Sequence, residues 1–130
     1  MAWTKMKSGN IRRGDIFLVN LEPRKGSEQG GIRPVLIIQK DVLNTHAPTT
    51  IIAPITSKIY AKEYPTNVQF FSVSSGLKKE STILLNQIRT IDKRRIGKKL
   101  GTLSNEFMNK VDRAIKASLA LDWFSNKPRA

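Results

Sequence analysis

Residues 15–39 run Asp15-Ile-Phe-Leu-Val-Asn-Leu-Glu-Pro-Arg-Lys-Gly-Ser-Glu-Gln-Gly-Gly-Ile-Arg-Pro-Val-Leu-Ile-Ile-Gln39. The first seven are β-branched, aromatic and apolar on both faces, the pattern of a buried strand. Residues 22–33 are rich in turn formers and too polar for a core, so they form a loop. Pro34 fixes the start of a second strand, Val35–Gln39. A proline restricts the residue before it to extended geometry, which holds Arg33 at the mouth of that strand.

Working outward, residues 41–46 have the length of one helical turn. Residues 49–56 are a third strand with Pro54 inside it. Proline cannot donate to a ladder, so Pro54 predicts an edge or a bulge and draws attention to the neighbouring Thr56. Residues 67–73 and 81–85 are further short strands with Gly76 in the turn between them, and residues 88–92 continue the sheet. From Ser104 the period changes. Phe107, Met108, Val111, Ile115 and Leu119 recur at three- and four-residue spacing behind an N-cap serine, with Glu106 in the first turn. This predicts a helix of about four to five turns ending before Ser125, its apolar stripe packed on the sheet or on a second subunit. The fold class is therefore mainly β with α: a small β-barrel or curled sheet with a long C-terminal helix. Residues 1–11 are expected to fray, 12–124 to form a single domain and 125–130 a flexible tail.

The chain has 130 residues, 39% hydrophobic, and a formal charge of +13 at pH 7. One core suits this length, since two would leave about 65 residues each, a marginal size. No apolar stretch reaches the roughly 18 residues of a membrane span, and the N-terminus lacks the apolar segment of a secretory signal. With no cysteine, thiol catalysis and thiolate metal sites are excluded, and a reducing, cytoplasmic setting is expected. With His46 as the single histidine, catalysis by a histidine pair within one chain is excluded too.

The charge is uneven, +7 falling in residues 86–130, and its densest run is Arg89 to Lys99. Such a run is either a solvated basic loop or a phosphate-contacting surface, and a phosphate surface supplies affinity without reading sequence. In the 22–33 loop, Gly30-Gly31 permits close approach of another chain. Arg33 is either a surface charge or a guanidinium fixed to fork two hydrogen bonds to a phosphate. Thr56 either caps its strand end or offers a hydroxyl to a ligand, and Glu28 is either a solubilising charge or a proton acceptor.

Several segments together resemble the MazF/PemK family of toxin endoribonucleases. They are Arg13-Gly-Asp15, the Gly26–Gln39 stretch, Ile55-Thr-Ser57, Pro65-Thr-Asn-Val68, Leu84-Leu-Asn-Gln-Ile-Arg-Thr-Ile-Asp92 and Asn109-Lys-Val-Asp112. They occur in the family's order, and the similarity runs from about Arg12 to Leu121. The resemblance implies an SH3-like β-barrel of the CcdB/PemK kind acting as a homodimer. It implies sequence-selective cleavage of single-stranded RNA (mRNA) with neither metal nor other cofactor, and neutralisation by an acidic antitoxin whose flexible tail occupies the RNA groove. Carried over position by position, the catalytic Arg falls on Arg33 and the catalytic Thr on Thr56, with Glu28 a further participant. RNA contacts fall on Ser27, Gln29, Ser57, Lys58, Asn86 and Gln87. The family does not rely on an imidazole at the place of His46.

One departure stands out. Where relatives carry an acidic residue before the glutamine, this chain has Asn86, which removes repulsion toward phosphate and bears on the sequence cleaved. Two other functions stay open at this stage: a gyrase-poisoning toxin of the same fold, as in the CcdB group, and a general nucleic-acid-binding module.

Overall fold

A computed structural model of the protein describes residues 10–122. The expected tail at 125–130 and most of the expected N-terminal extension lie outside them. Ile11, at the end of that extension, is buried.

Seven strands and two helices follow in order: β1 (Asp15–Asn20), β2 (Ile32–Ile37), α1 (Asp41–His46), β3 (Thr49–Thr56), β4 (Asn67–Phe70), β5 (Ser81–Leu84), β6 (Arg89–Asp92), β7 (Ile96–Thr102) and α2 (Asn105–Ser118). All pairings are antiparallel. The hydrogen-bonded path runs β4-β5-β3-β2-β1-β7, and β6 also pairs with β3.

β1 is apolar on both faces because both faces are covered. Ile16, Leu36, Ala53 and Ile55 point into one cluster, which α2 closes with Met108, Val111 and Ala114. Phe17, Val19, Val35, Ile37 and Ile52 point into a second cluster, closed by Ile11, Leu21, Ile91 and Ile96. Period-2 alternation thus distributes one strand's side chains between two cores.

The path leaves β4 and β7 as edges, so the barrel-like sheet is not closed by a ladder. A 3-10 turn at Val73–Ser75 lies against β7 instead. A Cβ on Gly76 would lie 1.9 Å from the Leu100 carbonyl oxygen, and one on Gly101 would lie 2.2 Å from that of Ser74. Gly76 also has φ +76°, in the left-handed region. Backbone approach, made possible by two glycines, takes the place of strand pairing.

Of the edge or bulge expected at Pro54, the edge is corrected. β3 pairs with three strands, more than any other. It pairs with β6 through Ile52 and with β5 from Ile55, while β2 runs along its other side. Pro54 sits at the changeover between β6 and β5, where its missing N–H is tolerated. The 67–73 strand is shorter than expected, because residues 73–75 turn. β7 was not foreseen: Ile96-Gly-Lys-Lys-Leu-Gly-Thr102 mixes glycines and lysines, and the exposed lysines suit an edge strand that must not recruit another chain. The helix starts and packs as read but ends earlier, at Ser118, before the last position of the expected apolar stripe. The Ser104 hydroxyl accepts from the Phe107 N–H at 3.4 Å, and Met108 and Val111 are buried while Leu119, beyond the helix end, is exposed. No helix among the described residues is long and apolar enough to cross a membrane.

Candidate active site

Residues directly opposite in an antiparallel pair share a face. Thr56 pairs with Thr82, and Thr82 with Gln69. Val35 pairs with Pro54, and continuing that register by two residues brings Arg33 level with Thr56. One row of polar side chains therefore crosses β2, β3, β5 and β4. It lies on the face of the second apolar cluster, past the point where that cluster ends.

Arg33 is half-buried and held from two sides. Its Nε donates to the Gly30 carbonyl at 2.9 Å, and its Nη1 reaches the carbonyl of Ile55, next to Thr56, at 3.5 Å. Burial, and then the nearby charge of Arg24, hold the guanidinium below its ordinary pKa. Partial desolvation also strengthens its attraction for an incoming anion. The Thr56 hydroxyl accepts from the Lys58 N–H at 3.2 Å. That is the capping role open from sequence, yet it leaves the hydroxyl's own proton for a ligand.

The 22–31 loop is pinned rather than loose. Leu21 N–H donates to the Gly31 carbonyl at 2.9 Å, and the Glu22 carboxylate accepts from the Gly31 N–H. Arg95 Nη1 donates to the carbonyls of Asn20, at 3.1 Å, and Glu22. Arg89 Nη1 reaches the Leu21 carbonyl at 3.5 Å. The tip is tied across the molecule, Gln29 N–H donating to Gln87 Oε1 at 3.1 Å. Gly30 is tightly enclosed, since a Cβ there would lie 2.8 Å from Arg24 Cβ, next to the backbone. Gly30 thus serves a close approach within the loop itself, Gly31 supplies a left-handed turn at φ +75°, and the Gly30 carbonyl is the one that holds Arg33.

Between this loop and the 85–88 turn lies a groove of about 440 Å³, lined by Ser27, Glu28, Gln29, Asn86 and Gln87 together with Leu21, Pro54, Ile88 and Arg89. Five of the residues singled out from sequence meet here. Arg33 and Thr56 lie beside it on the sheet row, adjoining through Pro54, and Ser57 and Lys58 begin the next loop, both exposed. Glu28 is exposed, and its carboxylate accepts the Lys25 N–H at 2.7 Å, so it shapes its own turn. His46 ends α1, exposed, and lines neither this groove nor the row.

The basic run 89–99 is not the solvated loop that was one of its two readings. It builds β6, a 3-10 turn at Lys93–Arg95 and the start of β7. Arg94 pairs with Asp92 at 3.0 Å, and its side-chain and backbone hydrogen bonds hold that carboxylate below its usual pKa. Lys93 donates to the Asn44 carbonyl, Lys99 lies 3.3 Å from Asp15, and Arg89 and Arg95 brace the loop. Sequence reading counted these charges without seeing that carbonyl oxygens hold several of them. Arg89 was also missed as a groove residue, and its place in the basic run was the only signal for it. Among the described residues, no group of three or more His, Asp or Glu side chains could hold a metal ion.

The comparisons with known proteins agree with the fold. Endoribonuclease EndoA from Bacillus subtilis is 49% identical over 111 residues, which are 85% of this chain and 96% of that protein. The Mycobacterium tuberculosis toxin MazF-mt6 superposes with a TM-score of 0.70 at 26% identity, covering 84% of this chain and 99% of its own. A mycobacterial endoribonuclease solved with its cognate antitoxin superposes with a TM-score of 0.73 at 24% identity, over 87% of this chain and 98% of its own, a likeness of fold. The sequence profile of the PemK-like, MazF-like toxins matches residues 12–119, nearly the whole of the folded domain. The chain belongs to the PemK-like, MazF-like toxins of type II toxin–antitoxin systems.

Proposed function

We propose that the protein is the toxin of a type II toxin–antitoxin pair and a metal-independent endoribonuclease that cuts single-stranded RNA at selected sequences. The observation that carries this reading is the placement of a half-buried, doubly held guanidinium, Arg33, level with the Thr56 hydroxyl beside a polar groove.

The chemistry follows from that inventory. The RNA's own 2′-hydroxyl attacks the adjacent phosphorus, and the bond to the 5′-oxygen breaks. The products are a 2′,3′-cyclic phosphate and a 5′-hydroxyl; the 2′-hydroxyl gives up a proton and the departing oxygen gains one. Arg33 stabilises the charge that grows on the non-bridging oxygens in the transition state. Its fixed geometry requires no reorganisation as that charge develops. The direction of its pKa shift favours proton transfer to the leaving oxygen, although a guanidinium remains charged at neutral pH and its main work is electrostatic. Thr56 orients the phosphate or the 2′-hydroxyl. Ser27, Gln29, Asn86 and Gln87 present amide and hydroxyl groups suited to reading base edges, and Ser57 and Lys58 extend the phosphate contacts beyond Thr56. Glu28, through the turn it shapes, places this reading surface.

The chain works as a cytoplasmic homodimer, and an acidic antitoxin with a flexible tail blocks the RNA groove. Support for the antitoxin comes from the relatives solved as toxin–antitoxin complexes and from the +13 charge. Incubating the purified protein with single-stranded RNA in EDTA tests the reading. Shortened RNA is the expected result. Retardation without shortening identifies a binding module, and inhibition of DNA gyrase with intact RNA identifies a gyrase poison; either outcome overturns the assignment.

A further inference from the structure

Thr82 belongs to two sites. It is the cross-strand partner of Thr56, and its hydroxyl donates to the Lys58 carbonyl at 2.9 Å. It also lines a second groove, of about 680 Å³, bounded by β4, α2 and the loop between β3 and β4. The residues that distinguish that groove are Tyr60, Tyr64, Lys62, Lys110 and Arg113, with Glu63 and Asp122 offsetting part of the charge.

The two tyrosines meet edge to face, their ring centroids 6.1 Å apart at 88°. Neither belongs to an apolar cluster of the core. Lys58 Nζ lies 4.7 Å from the centre of the Tyr60 ring, and Lys62 Nζ 5.8 Å from that of Tyr64. A loop that keeps one ring exposed and the other half-buried, each with an ammonium over it, combines the two elements that hold a single strand: aromatic rings for bases and cations for phosphates. The row Arg33–Thr56–Thr82 leads from the scissile position to this groove, and Lys58 bridges them along the chain.

We propose that Tyr60 and Tyr64 form a nucleobase subsite, which takes a base flanking the cleaved bond by stacking while Lys58 and Lys62 accompany its phosphates. The proposal rests on the ribonuclease reading and extends its substrate from the nucleotides at the cut to a longer strand. Stacking tolerates any base, so the subsite adds affinity for strand length and not for sequence.

The test uses two RNAs with the same cleaved sequence, one minimal and one extended by four nucleotides on each side. Replacing both tyrosines with alanine is expected to raise KM for the extended RNA about tenfold or more, with kcat and the cleavage of the minimal RNA unchanged. Phenylalanine at both positions is expected to restore the original KM, because a phenyl ring stacks as well. An unchanged KM for the extended RNA overturns the subsite, as does an equal loss on both RNAs or a failure of phenylalanine to rescue. Weakened neutralisation by the antitoxin with RNA kinetics intact would make the groove a protein-docking surface instead. If the unsubstituted chain cuts neither RNA, the ribonuclease reading fails and the subsite with it; the other negative outcomes remove the subsite alone.

Discussion

Arg33 is the residue on which the proposed chemistry converges, and its geometry sets what can replace it. Alanine there removes the charge that meets the transition state, a loss expected to lower kcat on the order of 100- to 1000-fold with the fold intact. Lysine is expected to rescue little, because an ammonium cannot hold the Gly30 and Ile55 carbonyls and still present a planar fork to a phosphate. Single-turnover cleavage of one RNA by the three proteins checks both statements. Arg33 was legible in the sequence as a constrained residue, since Pro34 follows it, but its partners were not. They are carbonyl oxygens, and a carbonyl can come from any residue, so no composition or spacing announces them. The same applies to Glu28, a carboxylate that sequence offered to the chemistry and the structure finds bonded within its own turn.

Among the elements, the 22–31 loop behaves as part of the scaffold. Glu22 closes its stem by accepting the Gly31 N–H, and Arg95 clamps the strand end below. Glu22→Ala is expected to loosen the Gly30 carbonyl and with it Arg33, lowering kcat several-fold more than it changes KM. Glu22→Gln, which keeps an acceptor oxygen, is expected to recover most of the activity. A second tie joins α1 to the start of β1: the Asp41 carboxylate accepts the Arg13 N–H at 2.7 Å and an Asn44 N–H at 3.2 Å. The Arg13 bond is the chief reason its pKa is depressed. A carboxylate depressed on folding stabilises the native state above its unfolded pKa, near 3.9, and loses that contribution as pH falls through the folded value. Urea midpoints measured from about pH 5 down to about pH 2.5 should therefore fall, and Asp41→Asn should show a shallower fall from a lower start. Strands with aliphatic runs and the capped helix were readable because burial imposes periodicity. β7 was not, because an open edge needs lysines and glycines, which carry no period.

For the molecule as a whole, a charge of +13 overstates the number of phosphate contacts. Arg89, Lys93, Arg94, Arg95 and Lys99 each bond within the fold. The affinity for RNA should fall as salt rises, with a slope that Lys58→Gln reduces by about 0.7 and Arg94→Gln leaves unchanged. Titrations of a non-cleavable strand at several salt concentrations measure both. The whole-molecule charge is legible in the sequence; its division between folding and binding is not, because it depends on which carbonyls and carboxylates the fold brings to each cation. In the proposed mechanism the RNA supplies its own nucleophile, and this chain only holds and neutralises it. The most direct test is an oligonucleotide carrying one 2′-deoxy sugar at the position whose 2′-hydroxyl attacks, compared with the all-ribose strand in EDTA. The all-ribose strand should yield a 2′,3′-cyclic phosphate and a 5′-hydroxyl, while the substituted strand should bind and remain whole. Cleavage of the substituted strand at that position, or 5′-phosphate ends on the products, would contradict the account.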